Sequence, residues 1–192
     1  MEIEVRYTLP FDTAANPVRI SQGRNGPWSH FLQRREVSSR PGIFIETDLI
    51  NAIDFALPLG TPVKAARSGR IWNLWHGSEW CYEGLNPEIG NNPPFMSTNF
   101  VIIEHDDGTQ AWYSHLSKDV LAQRGQLVEA GSILGLTGKS GWIAEIPHLH
   151  IHVFEKPTSE IRYKTVPFTF EDYLGPLEHE ALVREGLIWS GE

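Results

Sequence analysis

Three histidines alternate along Pro147-His148-Leu149-His150-Ile151-His152. In a β-strand alternate side chains share a face, so 148, 150 and 152 point one way while Leu149 and Ile151 enter the opposite layer. Two histidines at this spacing can reach one metal ion, or one metal and its bound substrate. An exposed strand face gives the same pattern. A second candidate is His115 in Tyr113-Ser114-His115-Leu116, which reads equally as a structural strand histidine. A third is Asp54 in Asn51-Ala52-Ile53-Asp54-Phe55-Ala56. A carboxylate between two large apolar residues is costly to bury unless it is paired or bound to a metal, whereas an exposed face leaves it solvated. The remaining histidines are 30, 76, 105 and 179. The lone cysteine, Cys81, rules out an intramolecular disulfide and a Cys-x-x-Cys site, so any metal ligands come from His, Asp or Glu.

Short strands and turns must position these groups. The clearest element is a hairpin: 100–105 forms one strand, Asp106-Asp107-Gly108 turns, and 109–116 returns. Strands are also expected near 3–7, at 53–56, 63–66 and 70–74, and over 166–170. Glycines at 125, 131, 135, 138 and 141 punctuate strands only a few residues long. That spacing indicates an all-β sandwich or barrel. Segments 31–50 and 76–98 read as long irregular loops. Over 176–185, Pro176, the spacing of Leu177, Ala181 and Leu182, and Gly186 beyond the end predict a short C-terminal helix packed on the sheet.

The chain has 192 residues, and one domain spanning 1–192 is expected, with a core at about 22–154 and a C-terminal extension over 155–192. Net charge is −8, and no run of Lys and Arg forms a basic stripe, so nucleic acid is excluded as a partner. No stretch approaches the ~18 apolar residues of a membrane span. Met1-Glu2-Ile3-Glu4-Val5-Arg6 lacks the basic start and apolar run of a signal peptide. Seven Trp and nine Phe supply large flat surfaces for a core or a groove.

Taken together these blocks resemble the lysostaphin-like (LytM-type) zinc endopeptidases. The similarity runs over about residues 22–154. It is carried by Gln22-Gly23 with Ser29-His30, Ala52-Ile53-Asp54-Phe55 leading into Gly60-Thr61-Pro62-Val63, and Val101-Ile102-Ile103-Glu104-His105. Tyr113-Ser114-His115-Leu116, Gly125-Gln126, Gly135-x-x-Gly138 and Pro147-His148-Leu149-His150 complete it. The resemblance implies an antiparallel β-sheet hybrid with a substrate groove. It also implies one zinc ion per chain held by His30, Asp54 and His150, with a fourth position open for water. His115 and His148 would stand beside the zinc without ligating it. His148 is the better candidate for general base, and His115 would orient the water or stabilise the oxyanion. Such a zinc lowers the pKa of its water to roughly 7 and polarises the scissile carbonyl.

The implied substrate is a peptide bond in peptidoglycan cross-links or stem peptides, and the implied location is the cell envelope or the extracellular space. Trp142 and Tyr113 are candidate groove residues. Many family members carry the first ligand four residues before the Asp. Here Ile50 holds that place, which is why His30 is assigned, with His76 and His105 as substitutes. His152 stands where an acidic residue often occurs in relatives, and could hydrogen-bond near the site. No cell-wall-targeting module is recognised. Two other functions fit the same motifs: a catalytically silent member that binds peptidoglycan or activates a cell-wall amidase, and a zinc peptidase with a different substrate.

Overall fold

The structure is a computed structural model. It describes residues 5–13, 17–25, 29–30, 32–36, 44–86, 94, 96–144, 146–155 and 164–183, with the backbone alone at 5, 32–36 and 44–47. Its strands are β1 (Val5–Tyr7), β2 (Val18–Gln22), β3 (Leu32–Glu36), β4 (Phe44–Asp48), β5 (Ile53–Ala56), β6 (Pro62–Lys64), β7 (Gly69–Trp75) and β8 (Cys81–Tyr82). They continue with β9 (Phe100–Glu104), β10 (Thr109–Ser114), β11 (Leu127–Val128), β12 (Ile133–Leu136), β13 (Gly141–Trp142), β14 (His148–Glu155), β15 (Phe168–Phe170) and β16 (Leu182–Val183).

Eight strands form one antiparallel sheet in the order β11-β7-β9-β10-β14-β5-β2-β16. The fold is all-β, as expected, and no helix occurs among the described residues. The expected hairpin is β9–β10. Its turn is held by Asp107, whose Oδ1 accepts from the Thr109 amide at 3.0 Å and the Thr109 hydroxyl at 2.6 Å.

Three expectations are corrected. The segment expected to form a C-terminal helix instead turns at 178–180 and then runs as strand β16, as far as it is described. Leu182 and Val183 pair with Arg19 and Val18, and Ala181 O accepts from the Ile20 amide at 2.9 Å. Glu180 has φ +67°, which an α-helix cannot contain. The edge of β2 takes the backbone hydrogen bonds that a helix would have kept internal; residues 184 and 185 lie outside the described residues. Segment 31–50 is not a plain loop either, since β3 and β4 pair antiparallel within it. Alternation in this stretch is hidden by charged residues on both parities, Arg34-Arg35 among them. Within 76–98, β8 runs parallel to β13.

Register separates the two faces of the sheet. Leu149, Ile151 and Val153 of β14 oppose Phe55, Ile53 and, on β10, Tyr113 and Ala111. All are fully buried in the core with Ile20, Val101 and Ile103. Phe168 and Phe170, delivered by the parallel pairing of β15 with β1, join the same cluster. Burying each such side chain stabilises the fold by about 1.5–3 kcal/mol relative to exposure. The opposite face of β14 carries His148, His150 and His152, and this face is also buried. A one-residue slip of β14 would exchange the histidines with the core residues, so the apolar set fixes where the histidines point.

A separate buried histidine lies at the end of β9. His105 Nδ1–H donates to Ser68 O at 2.8 Å, and its Nε2 has no partner among the described residues. Burial pushes its pKa down, beyond what the Ser68 bond and the acids at 106 and 107 restore. The unfolded chain therefore binds a proton on His105 at higher pH than the folded protein does. His105 contributes its stability in full above its ordinary pKa of about 6.5, and that contribution is lost as pH falls through the lower folded value. Asparagine at 105 keeps the donor to Ser68 O without titrating. The thermal midpoint of His105→Asn should fall less than that of the wild type between pH 7.5 and pH 5.5. Equal falls in differential scanning calorimetry would contradict this account.

Candidate metal centre

Asp54 anchors the site. It sits on β5 opposite His150 of β14, with Ile53 and Phe55 directed into the core on either side. Its carboxylate is 5% exposed and is surrounded by imidazoles. His150 Nδ1 lies 2.8 Å from Oδ1, His30 Nε2 3.4 Å from Oδ1, and His148 Nε2 3.4 Å from Oδ2. Burial pushes the carboxyl up. The facing imidazoles of His148, His30 and His150 and the hydrogen bond from His150 outweigh this and hold it well below the ordinary carboxylate range. It is a carboxylate at any working pH.

His30 arrives from outside the main sheet. Gly23, just past the end of β2, bridges Ser29, and Gln22 is paired with Asp54. The next residue after the bridge, His30, is thereby set against the acid, with its ring 4.9 Å from that of His150. The alternatives for this place lie elsewhere. His76 is exposed and bonded to Lys118 O, and His105 is bonded to Ser68 O.

His30, Asp54 and His150 each offer a ligand atom, and these atoms lie within 4.8 Å of one another. Metal–ligand bonds of about 2.0–2.1 Å in a tetrahedron give ligand–ligand edges of about 3.4 Å, close to the separation of His30 Nε2 from Asp54 Oδ1. Two imidazoles and one carboxylate leave a fourth position free. Burial pushes His150 down despite Asp54, so the ring is neutral and has a lone pair to give. The residues present therefore fit a divalent metal ion.

His148 and His115 complete the constellation, with ring centroids 4.5 Å apart. His148 Nδ1–H donates to Ile146 O at 2.9 Å, and His115 Nδ1–H donates to Ser140 O at 2.7 Å. A carbonyl can only accept, so both rings carry their proton on Nδ1 and keep Nε2 for chemistry. Burial first, then repulsion from His148 and His150, pushes the pKa of His115 far down, so this imidazole is neutral.

The turn that holds His115 is tightly built. His115 has φ +64°, uncommon for a residue with a Cβ. A Cβ on Gly138 would stand 2.4 Å from Ser117 N, and one on Gly141 would stand 2.4 Å from Thr98 Oγ1 and 3.2 Å from His115 Nδ1. Asn99, 1% exposed, ties the turn to its neighbours. Its amide donates to Leu116 O and Ser78 O, its Oδ1 accepts from the Ser78 amide, and its own backbone N–H donates to Ser140 Oγ. Nothing in the local sequence marks this role beyond a polar residue preceding an apolar strand.

The two candidate groove residues part company. Trp142 is half-buried on β13, where its indole N–H donates to Gly84 O at 2.8 Å. Tyr113 is corrected: it is fully buried on the core face, and its hydroxyl accepts from the Ala66 amide. Its parity along β10 is that of Ile151, opposite to the histidine face.

Residues 49–161 match peptidase family M23. The chain belongs to that family. This M23 chain is 37% identical to lysostaphin of Staphylococcus simulans over 98 residues, which are 51% of this chain and 16% of that protein. It is 34% identical to the peptidoglycan DD-endopeptidase ShyA of Vibrio cholerae over 100 residues, 52% of this chain and 19% of that protein. It thus spans less than a fifth of the length of either relative. A solved structure of the deep-sea M23 metalloprotease pseudoalterin superposes with a TM-score of 0.51 over 91% of this chain and 85% of the other, at 16% identity, a likeness of fold.

Asp54 contributes the only charge of the donor set. Purified protein should retain one zinc per chain after dialysis, and His76→Ala should retain the same. Asp54→Ala should retain none. Full occupancy in that variant by elemental mass spectrometry would contradict the assignment.

Proposed function

We propose that the chain is a zinc endopeptidase that hydrolyses peptide bonds in peptidoglycan cross-links or stem peptides. The observation that carries this reading is the convergence of five groups in one buried pocket. Three of them, His30, Asp54 and His150, could hold a metal ion, and His148 and His115 stand beside them with Nδ1–H bonded to backbone carbonyls and Nε2 left for the site. The substrate class rests on the M23 relatives, among them an enzyme named as a peptidoglycan endopeptidase.

A bound zinc supplies Lewis acidity, acidifying a water and polarising the scissile carbonyl. The chain's own residues do the rest. His148 Nε2 takes the proton of the attacking water, and its Nδ1–H bond to Ile146 O keeps the acceptor nitrogen turned to the site. His115, neutral and fixed through Ser140 O, accepts a second hydrogen bond from that water and so orients it. The proton held at His148 then passes to the leaving amine. Trp142, next to the Gly141 that packs against Thr98 and His115, is the candidate wall of the substrate groove. A peptidoglycan substrate places the enzyme at the cell envelope or outside the cell, in a single catalytic domain spanning 1–192.

Zinc-loaded protein incubated with isolated sacculi should release muropeptides identifiable by mass spectrometry, and their masses name the bond cut. His148→Ala should keep its zinc and release at least about 100-fold less, the usual scale of general base catalysis. Zinc-loaded wild type that releases no more than His148→Ala would contradict a peptidoglycan endopeptidase.

A further inference from the structure

We infer that His152 is a positioning residue for the metal site: when a metal takes the place of the Nδ1 proton that His150 gives to Asp54, His152 accepts the proton of His150 on Nε2 and thereby holds that ligand in its metal-binding tautomer. The inference rests on the metal-site reading above. His150 turns Nδ1 to Asp54 at 2.8 Å, so Nδ1 is the atom that must be unprotonated when a metal binds. The ring proton then has to sit on Nε2. That atom lies 2.9 Å from His152 Nδ1, and both rings are buried. Among the described residues, His152 Nδ1 is the acceptor placed against it.

The acceptor is itself fixed. The ring of His152 lies 5.4 Å from that of Trp112 and 5.6 Å from that of Phe154, tilted by 33° to each. The His150 and His152 rings meet edge to face at 74°. A ligating imidazole commonly gives its second N–H to such a partner, which sets tautomer and ring orientation. A carboxylate at 152 would also accept, but it would add a second buried negative charge to the pocket that holds Asp54. An imidazole supplies the acceptor without the charge.

Two variants separate positioning from packing. His152→Phe keeps the ring between Trp112 and Phe154 and removes the acceptor. His152→Asn places an amide oxygen where Nδ1 stood and removes the ring. Zinc dissociation constants are read by competition with a chelator of known affinity, alongside the thermal midpoints of the metal-free proteins. Positioning requires that His152→Phe weaken zinc 10–100-fold with its metal-free midpoint preserved. It also requires that His152→Asn stay within a few-fold of wild type in zinc affinity despite a lowered midpoint. Wild-type affinity in His152→Phe, or equal loss in both variants, overturns the role of His152 while the metal site stands. Absence of zinc binding in the wild type overturns both.

Discussion

A carboxylate buried in the middle of a sheet is the constraint on which this molecule turns. Asp54 lies between two residues that are fully buried in the core, and it is itself almost out of contact with water. A lone ion there would be prohibitively costly, so the charge persists only because three imidazoles face it. The imidazoles come from two places: His150 and His148 from the neighbouring strand, His30 from beyond a bridge at the end of β2. The same negative charge that demands these partners also makes them collectively competent to hold a cation. Fold and chemistry are thus coupled at one residue.

Strand parity connects that residue to the rest. Along β14 the apolar residues anchor the strand in the core, and the intervening histidines are turned to the other face with no freedom to change sides. His115 is held differently from the histidines of β14. His115 sits at the end of β10 in a left-handed backbone conformation, and its ring is tethered to a turn that Asn99, Gly138 and Gly141 pack from three sides. Rigid strands carry Asp54, His148 and His150, and a crowded turn carries His115, an arrangement that suits a preorganised site.

What could be read from the sequence follows from how local each signal is. The β9–β10 hairpin and the histidine strand declare themselves through period-two patterning and an Asp-Gly turn, and Asp54 stands out as an acid in an apolar run. His30 does not: the Gly23–Ser29 bridge and the pairing of Gln22 with Asp54 bring it to the acid, the second of these is long-range, and the sequence reaches it through family resemblance. The expected C-terminal helix failed because its apolar spacing also suits a strand when β2 offers an open edge. Tyr113 falls on the core face because of its pairing with Ile151, a long-range register that the local alternation with His115 does not reveal, and the charged residues on both parities hide β3–β4. The Asn99 network joins three distant segments and leaves no local trace.

The central claim is that one zinc ion is held by two imidazoles and one carboxylate while two further histidines stand free. Anomalous diffraction at the zinc edge from crystals of the zinc-loaded protein reads this directly. The expected map has one peak per chain, within bonding distance of His30 Nε2, an Asp54 oxygen and His150 Nδ1, with His115 and His148 beyond bonding distance. A peak ligated by His115 or His148 in place of one of those three, or centred on another histidine altogether, would contradict the account.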